Sequence, residues 1–239
     1  MSEELGSINK PEAGDILQKT KAYIVTLVQA QPGAPEGFEE KYNKYWEAIE
    51  VHLSQIEAKA GVVNKIFCEG IVGKGDDAKL MLEQSNPGAH NIVRRRISSG
   101  ANFEEFEDKE ILGQLIDWSR CLQVGLINQK VVEEVHKNYT SITEKRTNFI
   151  QSQLEKNITE SDSILLIVGN TAMNIPENVE KFIISPPELD ELERWVNETN
   201  EAIRKQMEQQ QQQQQQPEPR QDDKSQDDGS GNSKLWTPG

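Results

Sequence analysis

The hydrophobic pattern of the chain alternates between short apolar runs and longer amphipathic stretches. Ala22–Val28 is β-branched and nearly all apolar, which is typical of a strand buried on both faces. From Glu36 to Ala60, apolar residues recur at steps of three and four, which predicts a helix that Gly61 ends. Val62–Cys68 follows as a second apolar run. A strand, a helix and a strand in succession predict one right-handed crossover and a parallel pair.

The next thirty or so residues show a weaker pattern. Asp76–Gln84 predicts a short helix, which Asn86-Pro87-Gly88 stops. Ile92–Ser99 suits either a helix or a strand, and the pattern leaves both open.

Glu104–Ile158 is the longest amphipathic tract and contains no proline. As a single helix it would exceed about 80 Å at about 1.5 Å per residue. We therefore expect at least two helices, with a break near Gly125.

Two further strands follow this tract. Ser163–Val168 has the clearest strand pattern, and Glu180–Ile184 is the last strand. The segment between them is too short for the usual crossover helix, so we expect the last strand either to run antiparallel to its neighbour or to lie at an edge. Ser185-Pro-Pro-Glu188 then starts a helix that reaches Met207.

This order of elements predicts an α/β domain over residues 20–208, with a small, mostly parallel sheet and a large helical insertion at about 104–158. Residues 1–19 are polar and predict a flexible arm. Residues 209–239 begin with eight glutamines and continue with proline, aspartate, serine and glycine. Such a segment cannot bury a core, so we predict a disordered tail.

Composition narrows the function classes. The chain has 40 acidic and 26 basic residues, a net charge of −14, which makes binding to a phosphate backbone unlikely on charge grounds. No apolar run approaches the roughly 20 residues that cross a bilayer. The first ten residues do not resemble a secretory signal, and Cys68 and Cys121 lack the spacing of a zinc site or a disulfide framework. We therefore expect a cytoplasmic protein with two inert thiols and with neither a metal nor a cofactor.

Ligands of parallel sheets bind at the carboxyl ends of the strands. The predicted ends are Gln29–Pro32, Cys68–Ile71 and Gly169–Thr171, and they carry one carboxylate, Glu69. Arg146, on the helix that precedes a buried strand, is expected to point the same way. The other candidate ligand-binding residues at these ends are Gln29, Gln31, Asn170 and Thr171.

The order of elements and three short segments resemble the TraB/Tiki proteins together with the erythromycin-esterase and haem-binding ChaN groups. The segments are Phe67-Cys-Glu-Gly70, Lys145-Arg-Thr-Asn148 and Ile167-Val-Gly169, and the resemblance covers roughly residues 22–196. It implies an α/β fold with Glu69 and Arg146 at the centre of the site.

The resemblance also implies two glycine-x-x-histidine motifs, and this chain has neither. The first position reads Gln29-Ala-Gln-Pro32 and the second Gly169-Asn-Thr-Ala172. Those histidines carry the family's metal or acid–base chemistry. The resemblance therefore implies a scaffold without that activity.

A second candidate site lies around His90. We expect His90 in a loop, Pro87–Asn91, just ahead of three arginines. Such a cluster can bind an anion such as a phosphate or a carboxylate. Alternatively, the arginines pair with the acidic run Glu104–Glu110. The three arginines are Arg94, Arg95 and Arg96.

No complete catalytic signature is present, whether a phosphate loop, a dinucleotide fingerprint or a nucleophile elbow. The tail ends with Leu235 and Trp236 on a polar tether, a pattern that can anchor a partner. The sequence therefore favours a non-catalytic cytoplasmic protein that binds a protein partner or a small ligand. The alternative is a hydrolase of the TraB or erythromycin-esterase type that uses Glu69 and Arg146. Apolar positions in the helical tract also suggest a homodimer.

Overall fold

The computed structural model describes residues 19–31, 33–169 and 174–214, with side chains as far as Gln209. The described residues form five strands and six helices. The strands are β1 (Lys21–Thr26), β2 (Lys65–Cys68), β3 (Asn102–Phe103), β4 (Ser163–Val168) and β5 (Glu180–Ile184). The helices are α1 (Phe38–Ala60), α2 (Gly75–Ser85), α3 (Pro87–Ser98), α4 (Lys109–Gln123), α5 (Gln129–Asn157) and α6 (Pro187–Gln214).

The five strands form one parallel sheet in the order β3-β2-β4-β1-β5. This confirms the predicted α/β fold class. The predicted pairing of β1 with β2 is wrong, because β4 lies between them, with Lys21 beside Ser163 and Lys65 beside Ile164. Every residue of β4 is buried, so its backbone groups need partner strands on both sides.

β5 is the edge strand beside β1 and runs parallel to it. Of the two predicted alternatives, the edge position is confirmed and the antiparallel direction is wrong. A parallel β5 requires only that the connection from β4 is long enough to return to the amino end of the sheet. The eleven residues between β4 and β5 can span about 36 Å when extended, and a six-residue strand is about 20 Å long.

The two faces of the sheet have separate cores. One face packs against α1, α2, α3 and the first turns of α6. The other face packs against α5 through Ile150 and Leu154, with Phe106 beside Phe67. Strand residues alternate between the faces: Tyr23, Val25, Ile66, Cys68, Leu165 and Ile167 lie on the first, and Ala22, Phe67, Ile164, Leu166 and Val168 on the second.

α3 begins earlier than the sequence predicted. Asn86 ends α2 and caps α3, because its side-chain oxygen accepts a hydrogen bond from the Ala89 amide at 3.0 Å. Pro87 is tolerated in the first turn of a helix. The predicted loop around His90 is therefore wrong, and Ile92–Ser99 is helical as far as Ser98 rather than a strand.

The helical tract consists of α4 and α5, separated by the predicted break around Gly125. Its predicted start at Glu104 is wrong. Asp108 caps α4 by accepting hydrogen bonds from the amides of Glu110 and Ile111 at 2.9 and 2.8 Å. Residues 104–107 therefore lie outside the helix and follow β3.

Among the described residues, those up to Asn197 form the packed unit described above, and the rest of α6 belongs to a second unit. α6 continues into the glutamine tract as far as Gln214, so residues 209–214 of the predicted disordered tail are helical. Residues 1–18 of the predicted arm (1–19) and residues 215–239 of the predicted tail (209–239) lie outside the described residues, as do the candidate residues Asn170, Thr171, Leu235 and Trp236. Among the described helices, none is both long and apolar enough for a bilayer span.

Candidate functional site

Glu69 and Arg146 meet at the carboxyl edge of the sheet. Glu69 follows β2 directly. Arg146 lies on the stripe of α5 that faces the sheet, one turn before Ile150. Its Nη2 donates to Glu69 Oε1 at 3.0 Å, and the two side chains are only 12% and 15% exposed. The structure thus brings together the two residues that the sequence singled out.

Glu107 completes the cluster and was not predicted as a site residue. It lies just after β3, its side chain is 1% exposed, and its Oε2 accepts a hydrogen bond from Arg146 Nε at 2.9 Å. Arg146 Nη2 also donates to Glu107 Oε1. The sequence hid Glu107 within the acidic run Glu104–Glu110. The cap at Asp108 was the available signal, because it excludes residues 104–107 from α4.

Two backbone amides hold the carboxylates in place. The Gly70 amide donates to Glu107 Oε1 at 3.0 Å, and the Gly169 amide donates to Glu69 Oε2 at 2.6 Å. A Cβ at position 169 would lie 3.4 Å from Glu69 Oε2, an ordinary van der Waals distance, so the carboxylate packs directly against the end of β4.

The cluster is an ion-pair clasp, a name we use for Glu69, Glu107 and Arg146. Burial opposes the charge on Arg146, but hydrogen bonds and attraction from Glu107 and Glu69 outweigh it and raise the pKa of the guanidinium. Each carboxylate accepts hydrogen bonds from both the guanidinium and a backbone amide, and these bonds fix the position of both carboxylates.

Cys68 is fully buried beside the clasp at the end of β2. Burial, together with the nearby Glu69 and Glu107, raises the pKa of its thiol. A thiol that stays protonated is a weak nucleophile, so Cys68 matches the predicted inert residue.

Gln29 and Gln31 lie after β1, and both are exposed. Gln31 lines a cavity of about 530 Å³ at the start of α1, together with Phe38 and Tyr42. That volume falls in the range of small-molecule sites. The cavity is separate from the clasp, because none of its lining residues belongs to it.

Two of the three arginines of α3, Arg95 and Arg96, pair with α1 rather than with residues 104–110. Arg96 is buried, and it forms ion pairs with Glu50 and, at 2.8 Å, with Glu57. Arg95 is exposed and pairs with Glu50 at 3.0 Å. Arg94 and Arg95 line a second cavity of about 540 Å³ between α1 and α3.

His90 lies in the first turns of α3 and is buried, and its Nε2 has no hydrogen-bond partner among the described residues. Burial lowers the pKa of His90, Arg94 and Lys79 lower it further, and Glu83 opposes them. His52 on α1 and His136 on α5 are exposed. Among the described hydrogen bonds and ion pairs of the clasp, none involves a histidine.

Within the described residues, no three or more His, Cys, Asp or Glu side chains are grouped to hold a metal ion. Comparison with family models, curated proteins and solved structures finds no match. The resemblance to the TraB/Tiki, erythromycin-esterase and ChaN groups therefore stays a prediction.

Proposed function

We propose that this is a non-catalytic, cytoplasmic binding protein that recognises a protein partner through the α4–α5 hairpin. One observation carries the proposal: no residue of α4 is buried, although its apolar residues recur at helical steps. α5 is the main neighbour of α4, so one side of α4 has no covering element in the described structure. An amphipathic helix left uncovered in this way is suited to bind a partner.

Residues at the tip of the hairpin also support a binding role for this part of the molecule. Ile127, between the two helices, is 100% exposed, and Val124 and Val131 beside it are also exposed. On α4 itself, Ile116 is 43% exposed. Aliphatic side chains lie in water from the middle of α4 to the start of α5. We call these exposed residues the hairpin surface: Ile116, Val124, Ile127 and Val131.

Two further observations are consistent with the proposal. The clasp binds its charged groups to one another, which favours a structural role over acid–base catalysis. Cys68 and Cys121 are both free thiols, as is usual for proteins of a reducing compartment. Leu235 and Trp236, in the undescribed tail, would supply a second anchor for a partner.

A photo-cross-linking experiment tests the hairpin surface. A benzophenone amino acid replaces Ile127 in the full chain, and in a matched variant it replaces Val62, an aliphatic residue that is 70% exposed after α1. Both variants are expressed in the cells that make the protein and irradiated. We expect adducts from position 127 that position 62 does not give.

The adduct is then identified by mass spectrometry, and binding is measured with the purified partner. We expect Ile127→Glu to weaken binding and Val62→Glu to leave it unchanged. The same adducts from both positions, or unchanged binding by Ile127→Glu, would contradict the proposed function.

A hydrolase is the second candidate, because Glu69 and Arg146 meet at the edge where parallel sheets bind ligands. The test is a panel of ester and amide substrates with the wild type and with Glu69→Gln, which preserves the shape of the side chain. Turnover that Glu69→Gln abolishes while the fold is kept would favour the enzyme. Equal turnover by the wild type and by Glu69→Gln would contradict a hydrolase that uses Glu69.

A further inference from the structure

The apolar residues of α4 cover more of the helix than one neighbour can bury. At about 100° per residue, they span an arc of about 220° from Cys121 to Ile116. A helix that packs on one partner needs an apolar stripe of only about 100°. One border of the arc is in water, because Ile116 is 43% exposed, whereas Cys121 at the other border is half-buried. The apolar residues of the arc are Ile111, Leu112, Leu115, Ile116, Trp118, Cys121 and Leu122.

The charged residues of α4 are confined to the opposite side. Asp117 and Arg120 lie there and form an exposed ion pair at 3.4 Å. Lys109 and Glu110 lie on the same side of the helix. The apolar arc itself therefore carries no charged residue, so a second apolar helix can pack on it without burying an ion.

Charge along the chain indicates which partner fits. Residues 109–157 carry seven basic and six acidic side chains, whereas the rest of the chain carries 19 basic and 34 acidic ones. A strongly basic partner would bind the acidic remainder in preference to a nearly neutral hairpin. Outside the hairpin, two copies of this chain carry the same net negative charge and repel each other. At the hairpin, the nearly balanced charge weakens this repulsion, and the apolar arcs can pack together.

We propose that a second copy of this chain covers the hairpin surface, so that two α4–α5 hairpins form a four-helix bundle. This inference rests on the proposed function, since it names the partner of the same surface. The five-residue connection between α4 and α5 is typical of antiparallel neighbours in such bundles. A two-fold axis buries the same arc on both copies, so no unpaired apolar face is left.

Analytical ultracentrifugation of the full chain tests the inference over a roughly hundredfold concentration range around micromolar. We expect a concentration-dependent mass that rises from 27.1 kDa to twice that value. Ile116→Glu and Ile127→Glu should each raise the dimer dissociation constant about tenfold or more, because each places a charge in the buried contact.

The matched control is Val51→Glu, since Val51 is also an exposed aliphatic residue on a helix, 54% exposed on α1. It should leave the dissociation constant unchanged, and circular dichroism should show that all variants keep their helical content. A mass of 27.1 kDa at every concentration, or equal weakening by Val51→Glu and Ile116→Glu, would overturn the inference.

The cross-linking experiment distinguishes failure of the dimer inference from failure of the proposed function. Adducts at position 127 between two copies of the chain support the second copy as partner. Adducts only with a different protein overturn the second copy but keep the hairpin as a binding surface. If position 127 gives no adduct beyond those of position 62, both proposals fail.

Discussion

Arg146 and Glu107 form a two-point ion pair across 39 positions of sequence. Arg146 Nε lies 2.9 Å from Glu107 Oε2, and Arg146 Nη2 also donates to Glu107 Oε1. Because Glu69 shares the same guanidinium, the pair links the exits of β2 and β3 to α5. Arg146 is mostly buried and pairs with two carboxylates. The stability of this edge of the sheet therefore depends on one side chain.

Removing that side chain should destabilise the protein strongly. Arg146→Met leaves Glu69 and Glu107 without their counter-charge in a mostly buried site, so we expect the free energy of unfolding to fall by about 3–5 kcal/mol. Urea denaturation followed by circular dichroism measures it. Arg120→Met is the control, because the ion pair of Arg120 with Asp117 is exposed and should add little. Similar losses in both variants would contradict the clasp.

Gly88 should not tolerate even a methyl group. Its Cβ would overlap the indole of Trp46, lying 2.6 Å from Nε1, so Gly88→Ala should lower the free energy of unfolding by about 1–3 kcal/mol. Gly113→Ala is the matched control within α4, where a Cβ meets nothing within 4 Å. It should stabilise the protein by about 0.5–1 kcal/mol. Thermal unfolding compares the two, and a neutral Gly88→Ala would show that α1 and α3 are packed more loosely.

Stability should fall in mildly acidic solution because of His90. Burial lowers its pKa in the folded protein below the ordinary value of 6.5, with Arg94 and Lys79 adding to the effect and Glu83 opposing it. As the pH drops below 6.5, the unfolded chain binds the proton first, so the free energy of unfolding decreases until the folded pKa is reached.

Urea denaturation across this range should show a shallower pH dependence for His90→Gln than for the wild type. His52 is exposed on α1, so the same substitution there is the control. Equal effects of the two substitutions would sink the assignment to His90.

The glutamine-rich tail should contribute little to folding. Deleting Gln209–Gly239 should leave the melting temperature within about one or two degrees, because no residue of either hydrophobic core is lost. Differential scanning calorimetry of the full and truncated chains gives the answer. A large drop would mean that this segment packs against the folded domain.

Much of the fold could be predicted locally. β4 and β5 have the predicted bounds. For β4 the reason is that a strand buried on both faces reads as an uninterrupted apolar run. The start of α3 was missed because Asn86-Pro87-Gly88 is a turn pattern as well as a helix start. The tertiary hydrogen bond from the Tyr42 hydroxyl to Asn86 Oδ1, 2.5 Å, helps hold the helix start.

The sequence predicted two of the three residues of the clasp, Glu69 and Arg146, and missed Glu107. Arg146 was a candidate because it lies on the helix that precedes a buried strand, and Glu69 because it ends a buried strand. Glu107 was read only as one member of the acidic run Glu104–Glu110, and the cap at Asp108 places it outside α4 without distinguishing it from Glu104 and Glu105. Its burial depends on the position of β3 beside β2, which pairs Lys65 with Asn102.

The sequence by itself determined most of the elements: the strands β1, β2, β4 and β5, the helix α1, the break near Gly125 and the amphipathic character of α4. It did not predict β3 or the starts of α3 and α4. Periodicity and breaker residues act within a few positions, so they can be read from one segment at a time. Only the tertiary structure decided that β4 separates β1 from β2, that Glu107 is buried against Arg146 and that α5 leaves part of α4 uncovered. Each of these depends on which distant segments become neighbours, and that choice is made by the free energy of the whole packed chain.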